Sequence, residues 1–225
     1  MNISTDDLVL FESGFVTING TLIFSWIVMF IMVGTAILLR LQLNKNKNNY
    51  REEPTKLQNF FESLVEVIEQ QVKTISTKQI DVVFPFIATL FMYILVSNLI
   101  SLIPVLDSPT GSLSTTLALA LSMFIFSIFV GIKDKGFYGY IKKYFKPVFL
   151  MLPLNIIGEL SRIISLSMRL YGNIMSSGAV TFILTNISFL SIGFPIMIDL
   201  LGTISGIIQA YIFSILSMVA ISSDD

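Results

Sequence analysis

The chain has 225 residues, 54% hydrophobic and only 13% charged, with a formal net charge of −1 and a mean hydropathy of +0.81. A surface this apolar cannot meet water, which excludes a soluble domain and leads to the expectation of an all-α integral membrane protein. Cys and His are both absent, which excludes disulfides, thiolate chemistry, the commonest metal ligand and the usual proton shuttle; no metal, cofactor or nucleic-acid partner is expected.

Residues 1–20 carry Asp6, Asp7 and Glu12 but no Lys or Arg, the reverse of a signal peptide's basic start. They are expected to form an extracytoplasmic N-terminal segment, with 21–225 as a single membrane domain. Residues 21–39 are uncharged and long enough to cross a hydrocarbon core of about 30 Å, giving the first span. The lysine-rich run that follows suits the cytoplasmic face. From Pro54 the pattern changes. Over 54–79, Leu57, Phe60, Phe61, Leu64, Val65, Ile68, Val72 and Ile75 fall on one helical face, and Glu62, Glu66, Glu69 and Lys73 lie off it. This predicts an amphipathic helix on the membrane surface, with a helix of a soluble subdomain as the other reading.

Residues 82–106 form a second span containing Asn98 and Ser101; Pro109, Thr110 and Gly111 make a turn, and 113–132 form a third span. This two-span hairpin returns the chain to the side it left. Of fourteen basic residues, seven lie between Arg40 and Lys78 and five between Lys133 and Lys146, so both clusters fall inside, as topology requires.

The remainder is apolar for longer than one span. A helix over 148–191 is predicted, whose 153–188 portion alone measures roughly 54 Å, so it must be strongly tilted to cross about 30 Å. A second tilted helix, 195–220, follows the Gly193 to Pro195 break and places the C-terminus in the cytoplasm. The competing division, into three ordinary spans broken near Gly172 and Gly193, places it outside.

Within the first of these helices Asn155, Glu159, Arg162, Ser165, Arg169, Asn173 and Ser176 recur every three or four residues as one polar stripe. Arg169 cannot realistically lose its proton, and a fixed cation at membrane depth costs from about 2.5 to about 17 kcal/mol depending on the scale. Such a residue acts as a gate, drawing the ion off a passing carboxylate and blocking leak; a structural pairing with Asp199 is the competing account. Glu159 and Arg162 also fit an intrahelical pair. On the last helix Asp199, Gly202, Thr203, Gly206, Gln209 and Phe213 share a face, and Gln209 needs a partner away from water. Asn98, Ser101, Asn173 and Gln209 suit either half-channels or helix-packing hydrogen bonds. No phosphate loop or nucleophile–base set is found, so a self-contained ATPase or hydrolase is excluded.

The run SLSMRLYGNIMS at 165–176 resembles the SLxxRLFGN motif of subunit a of F-type ATP synthases, and NLISLIP at 98–104, STTLALAL at 114–121 and GIIQAYIF at 206–213 match in the same order. The resemblance covers about 55–220. It implies a stator protein: a surface helix, then spans, then two long tilted helices packed against a ring of c subunits, with peripheral-stalk b subunits and the rest of the complex as partners. It implies that Arg169 is the stator arginine facing the c-ring carboxylate, Asn173 the polar residue one turn on, Gln209 the glutamine near that arginine, Arg162 the second basic residue and Asn98 an asparagine beside the access path; Ser176 and Glu159 join the translocation set. Ion flow, of protons or sodium ions, then drives rotation and ATP synthesis, in a bacterial plasma membrane. Two positions depart from the family: Gly178 and Gly202 stand where members often carry Glu or His, so either water, Asp199 or Glu159 replaces those groups or the coupling ion is sodium. The other functional class, a self-sufficient secondary transporter or channel, predicts an internal repeat of broken helices and a second carboxylate cluster, and neither is found.

Overall fold

The computed structural model describes residues 9–13, 16–48, 56–75, 80–103, 108–144, 152–185 and 193–222. Among these, six helices carry the fold: α1 (Gly20–Asn48), α2 (Lys56–Ile75), α3 (Ile80–Ile100), α4 (Leu113–Tyr144), α5 (Leu152–Thr185) and α6 (Phe194–Ser222). The all-α membrane architecture stands, with one small addition. Strands β1 (Val9–Ser13) and β2 (Val16–Asn19) pair antiparallel, with Glu12 opposite Thr17 and Ser13 opposite Val16. Their β-branched content favours extended backbone, and the segment is too short for a stable helix of its own.

By length and composition Gly20–Leu41, Ile80–Ile100, Leu113–Tyr140 and Phe194–Ser222 can each cross a membrane. The first span thus lies in α1, which is nearly uncovered by the rest of the chain, with Trp26, Phe30 and Leu38 exposed. The turn between α3 and α4 is the expected one, a 3₁₀ turn over Pro109–Gly111. Ser108 caps it: its hydroxyl accepts from the Thr110 N–H at 3.3 Å, and its carbonyl accepts from the Gly111 N–H at 3.0 Å. Unusually for a connection, the turn is buried, and its polar groups are satisfied within the protein, the Thr110 hydroxyl by Asn98 of α3, as burial demands.

Several boundaries differ from the sequence reading: α1 continues past 39 to Asn48, and α3 ends at Ile100, short of 106. The segment after residue 132, expected to be loop, is helical on either side of Gly136, whose backbone (φ 72°, ψ 161°) interrupts α4. Only glycine takes that conformation without strain. Beyond α2 and α5, the ends expected at 76–79 and 186–191 lie outside the described residues.

α5 runs unbroken through Gly172, which removes the division into shorter spans at that point. Its 34 residues give a length of about 51 Å. The core gathers Ile87, Leu90 and Ile94 of α3, Ala120 and Met123 of α4, Leu166 and Leu170 of α5, and Ala210, Phe213 and Met218 of α6. The inner face of α2 joins it: Ile68 and Val72 are buried in that cluster, and the Ser222 hydroxyl donates to the Ile75 carbonyl at 3.0 Å. Part of the apolar stripe on α2 therefore packs on protein, and the ends of α2 and α6 meet at the same end of the bundle.

Candidate functional site

α5 and α6 pack closely along much of their length, and the residues that meet across them rise in number on one helix as they fall on the other. Thr181 donates to Asp199 Oδ1 at 2.7 Å. One turn along, a Cβ on Gly202 would lie 2.7 Å from both Cβ and Oγ of Ser177. One turn further on α5 and two on α6, Asn173 Nδ2 donates to Gln209 Oε1 at 3.5 Å. The helices are antiparallel, and small residues set their approach.

One turn of α5 beyond Asn173 stands Arg169. It is exposed on the chain's surface, and no ion pair or hydrogen bond holds its guanidinium among the described residues. On its own stripe stand Ser165 and, two turns away, Arg162, both exposed; elsewhere on the outer surface Ile164 and Met168 of α5 and Leu201, Ile204 and Ile208 of α6 are half exposed. An exposed apolar surface crossed by a stripe that carries fixed cations is a surface built for a partner. Asn173 and Gln209 stand behind the cation. Gln209 is buried, and its Nε2 has no hydrogen-bond partner among the described residues. Ser176, exposed, donates to the Asn173 carbonyl at 3.2 Å.

The other expected residues lie elsewhere. Glu159 and Arg162 line a shallow recess between α4, α5 and α6, with Ser127, Met123, Phe124 and Ala220 among its walls; Glu159 is half-buried and Arg162 exposed. Asn98 is fully buried, and its amide is engaged at both ends: Nδ2 donates to the Gly206 carbonyl at 2.8 Å, and Oδ1 accepts from the Thr110 hydroxyl at 2.8 Å. Ser101 donates to the Asn98 carbonyl at 2.7 Å. Asp199 does not reach Arg169. Its partner, Thr181, lies twelve residues from Arg169 on α5, about 18 Å along the axis.

The structure thus brings together Arg169, Asn173 and Gln209, sets Glu159 with Arg162 in a second place and Asp199 with Thr181 in a third, and uses Asn98 as a packing node. Thr181 and Ser177 were missed. The signal for them was the stripe itself, since the same spacing continues from Asn173 through Ser177 to Thr181.

The family model for the ATP synthase A chain matches residues 22–222. ATP synthase subunit a 1 of Chlorobaculum parvum is 41% identical over 223 residues, which cover 99% of this chain and 96% of that one. ATP synthase subunit a 1 of Crocosphaera subtropica is 42% identical over 226 residues, covering 99% and 94%. ATP synthase subunit a of Nitrosospira multiformis is 38% identical over 224 residues, covering 99% and 86%.

Proposed function

The chain belongs to the ATP synthase A chain family, and on that premise we propose that it is the stator of the membrane sector of a rotary ATP synthase. It is a multi-pass integral membrane protein with four helices long and apolar enough to cross the bilayer. In this reading α5 and α6 face a ring of c subunits, the b subunits of the peripheral stalk hold the chain still, and two offset half-channels connect the ring to the two aqueous phases. The N-terminus lies outside and the C-terminus in the cytoplasm of a bacterial plasma membrane, as the two lysine clusters favour.

The observation that carries the reading is Arg169, exposed on the surface of α5 and held by no carboxylate of the described residues. A charge left without an internal partner at membrane depth needs one from outside. A ring carboxyl arriving loaded with its proton or sodium ion is neutral. Beside Arg169 its charged form gains roughly 4 kcal/mol at 4 Å and an effective dielectric near 20, before desolvation, so the ion is released. The same cation repels ions that would pass straight between the half-channels. The guanidinium stays protonated throughout, so Arg169 gates the ion and does not relay it.

The test is ATP synthesis by the whole complex in vesicles, driven by a proton or a sodium gradient in turn. One gradient drives synthesis in the wild type and Arg169→Ala abolishes it with the complex still assembled. A normal rate in Arg169→Ala removes the gate from the reading.

A further inference from the structure

Asp199 is the only Asp or Glu within 194–222. It is half-buried where α6 meets α5, and among the described residues no Lys or Arg pairs with it. Thr181 donates to Oδ1 at 2.7 Å, and Oδ2 has no protein donor among the described residues. Stitching α5 to α6 does not require a carboxylate, because an asparagine side-chain oxygen accepts the same hydroxyl proton. A carboxylate in this setting is costly and marks a place where charge is used.

Its position strengthens the point. From Thr181 and Asp199 the α5/α6 seam continues through Ser177 at Gly202 to Asn173 and Gln209, with Arg169 one turn further on α5. On α5 each polar residue is about one helical turn from the next, so that side of the seam spans roughly 18 Å. The buried Gln209 Nε2, which has no partner among the described residues, sits in the rung nearest the arginine. The Asp199 end lies away from the end where α6 meets α2. Gly202, three residues from Asp199, lies one turn along the same seam against Ser177, and Gly178, three residues from Thr181, is exposed beside it.

We propose that Asp199, positioned by Thr181, is the ion-accepting group of the half-channel on the side opposite α2. It takes up one proton or sodium ion from the aqueous phase, becoming neutral, and releases it along the seam to the ring carboxylate that has just left Arg169, regaining its negative charge. The cation is the only species transferred. Thr181 is a positioning residue: its hydroxyl fixes the carboxylate so that Oδ2 is presented to the ion. The assignment rests on the stator reading above.

The experiment uses the whole complex in vesicles, with gradient-driven ATP synthesis and, after the catalytic sector is stripped away, passive conduction of protons and of sodium ions. Asp199→Asn keeps the Thr181 contact and is expected to assemble but to lose conduction and synthesis by about a hundredfold, the scale of losing a positioned acid–base group. Gly178 has nothing within 4 Å of where its Cβ would stand, so Gly178→Glu has room to return a carboxylate one turn away. Combined with Asp199→Asn it is expected to regain most of the lost conduction. Thr181→Val is expected to lower conduction about tenfold and Thr181→Ser to restore it, as loss and return of a hydrogen bond to a charged group imply. The assignment is overturned if Asp199→Asn conducts within about twofold of wild type, well inside the loss expected of an acid–base group. Failure of that variant to assemble, or no recovery with Gly178→Glu, overturns it too, because the side chain is then structural. Arg169→Ala, run alongside, separates the two readings: synthesis lost there but normal in Asp199→Asn leaves the stator and removes only Asp199.

Discussion

Asn98 Nδ2 donates to the Gly206 carbonyl at 2.8 Å, joining α3 to α6 through a side chain that is fully buried. Its oxygen accepts from Thr110, whose hydroxyl also lies 2.7 Å from Ser108, so one amide ties together two spans and the turn between α3 and α4. A Cβ at 206 would stand 2.9 Å from Asn98 Nδ2 and 3.0 Å from its Cγ. Gly206→Ala must therefore push the amide away and strand buried polar groups. The expected cost is about 1 to 3 kcal/mol, read as a lower unfolding midpoint of the detergent-solubilised protein. Asn98→Ala should cost a similar amount without any new clash.

Gly202 makes a sharper test of the α5/α6 seam. The alanine methyl in Gly202→Ala would meet the Ser177 side chain at 2.7 Å, and overpacking of this kind costs about 1 to 3 kcal/mol. Adding Ser177→Gly removes the obstacle, so the double variant should recover most of the loss. A double-mutant cycle on unfolding midpoints measures that coupling. Gly178→Ala, with open space around it inside a helix, is expected to raise the midpoint slightly, a gain of about 0.5 to 1 kcal/mol.

The spans, the turn at Pro109 and the length of α5 were legible because hydropathy and helical spacing are properties of one stretch of chain at a time. Arg169, Asn173 and Gln209 were legible for a related reason, since each is a polar group whose burial in lipid has to be explained. What pairs with what was not legible. That Asp199 meets Thr181 and not Arg169 depends on the register of two antiparallel helices, which Ser177 and Gly202 set by steric contact. Asn98 shows the same limit: its role as a packing node follows from the buried turn carrying Thr110, which no periodicity reports. Gly136 was visible as a glycine in a lysine-rich segment, but nothing local said that helix would resume after it.

α2 offers a prediction about its docking. Val72 is fully buried against the core, and the α6 residue Ser222 bonds to Ile75 beside it. Val72→Asp leaves a carboxylate without a partner in an apolar contact, at about 3 to 5 kcal/mol if the charge stays buried. The expected result is release of α2, seen as new protease cleavage within 56–75 and loss of the assembled complex. Glu66→Gln, on the exposed face, should leave both unchanged.

The last prediction concerns what Arg169 supplies beyond charge. Its guanidinium is planar, keeps its proton and presents a fixed fork of donors that matches a carboxylate at two points. A lysine ammonium at the same place is a compact point charge with three donors, more strongly hydrated, and able to neutralise when desolvated. If the gate works by bidentate capture of a ring carboxylate, Arg169→Lys loses one charge-assisted hydrogen bond of about 1.5 to 3 kcal/mol. That corresponds to a fall in gradient-driven ATP synthesis of about tenfold to a hundredfold. Neutralisation of the lysine would also open a leak, seen as faster passive ion flux through vesicles stripped of the catalytic sector. Synthesis near the wild-type rate with no added leak in Arg169→Lys would show instead that a single positive charge suffices and that the planar geometry of the guanidinium is idle. Because Arg169 is exposed and the described residues hold no ion pair with it, the substitution breaks no internal bridge, and a change in synthesis reports on the partner's carboxylate and not on the fold of this chain.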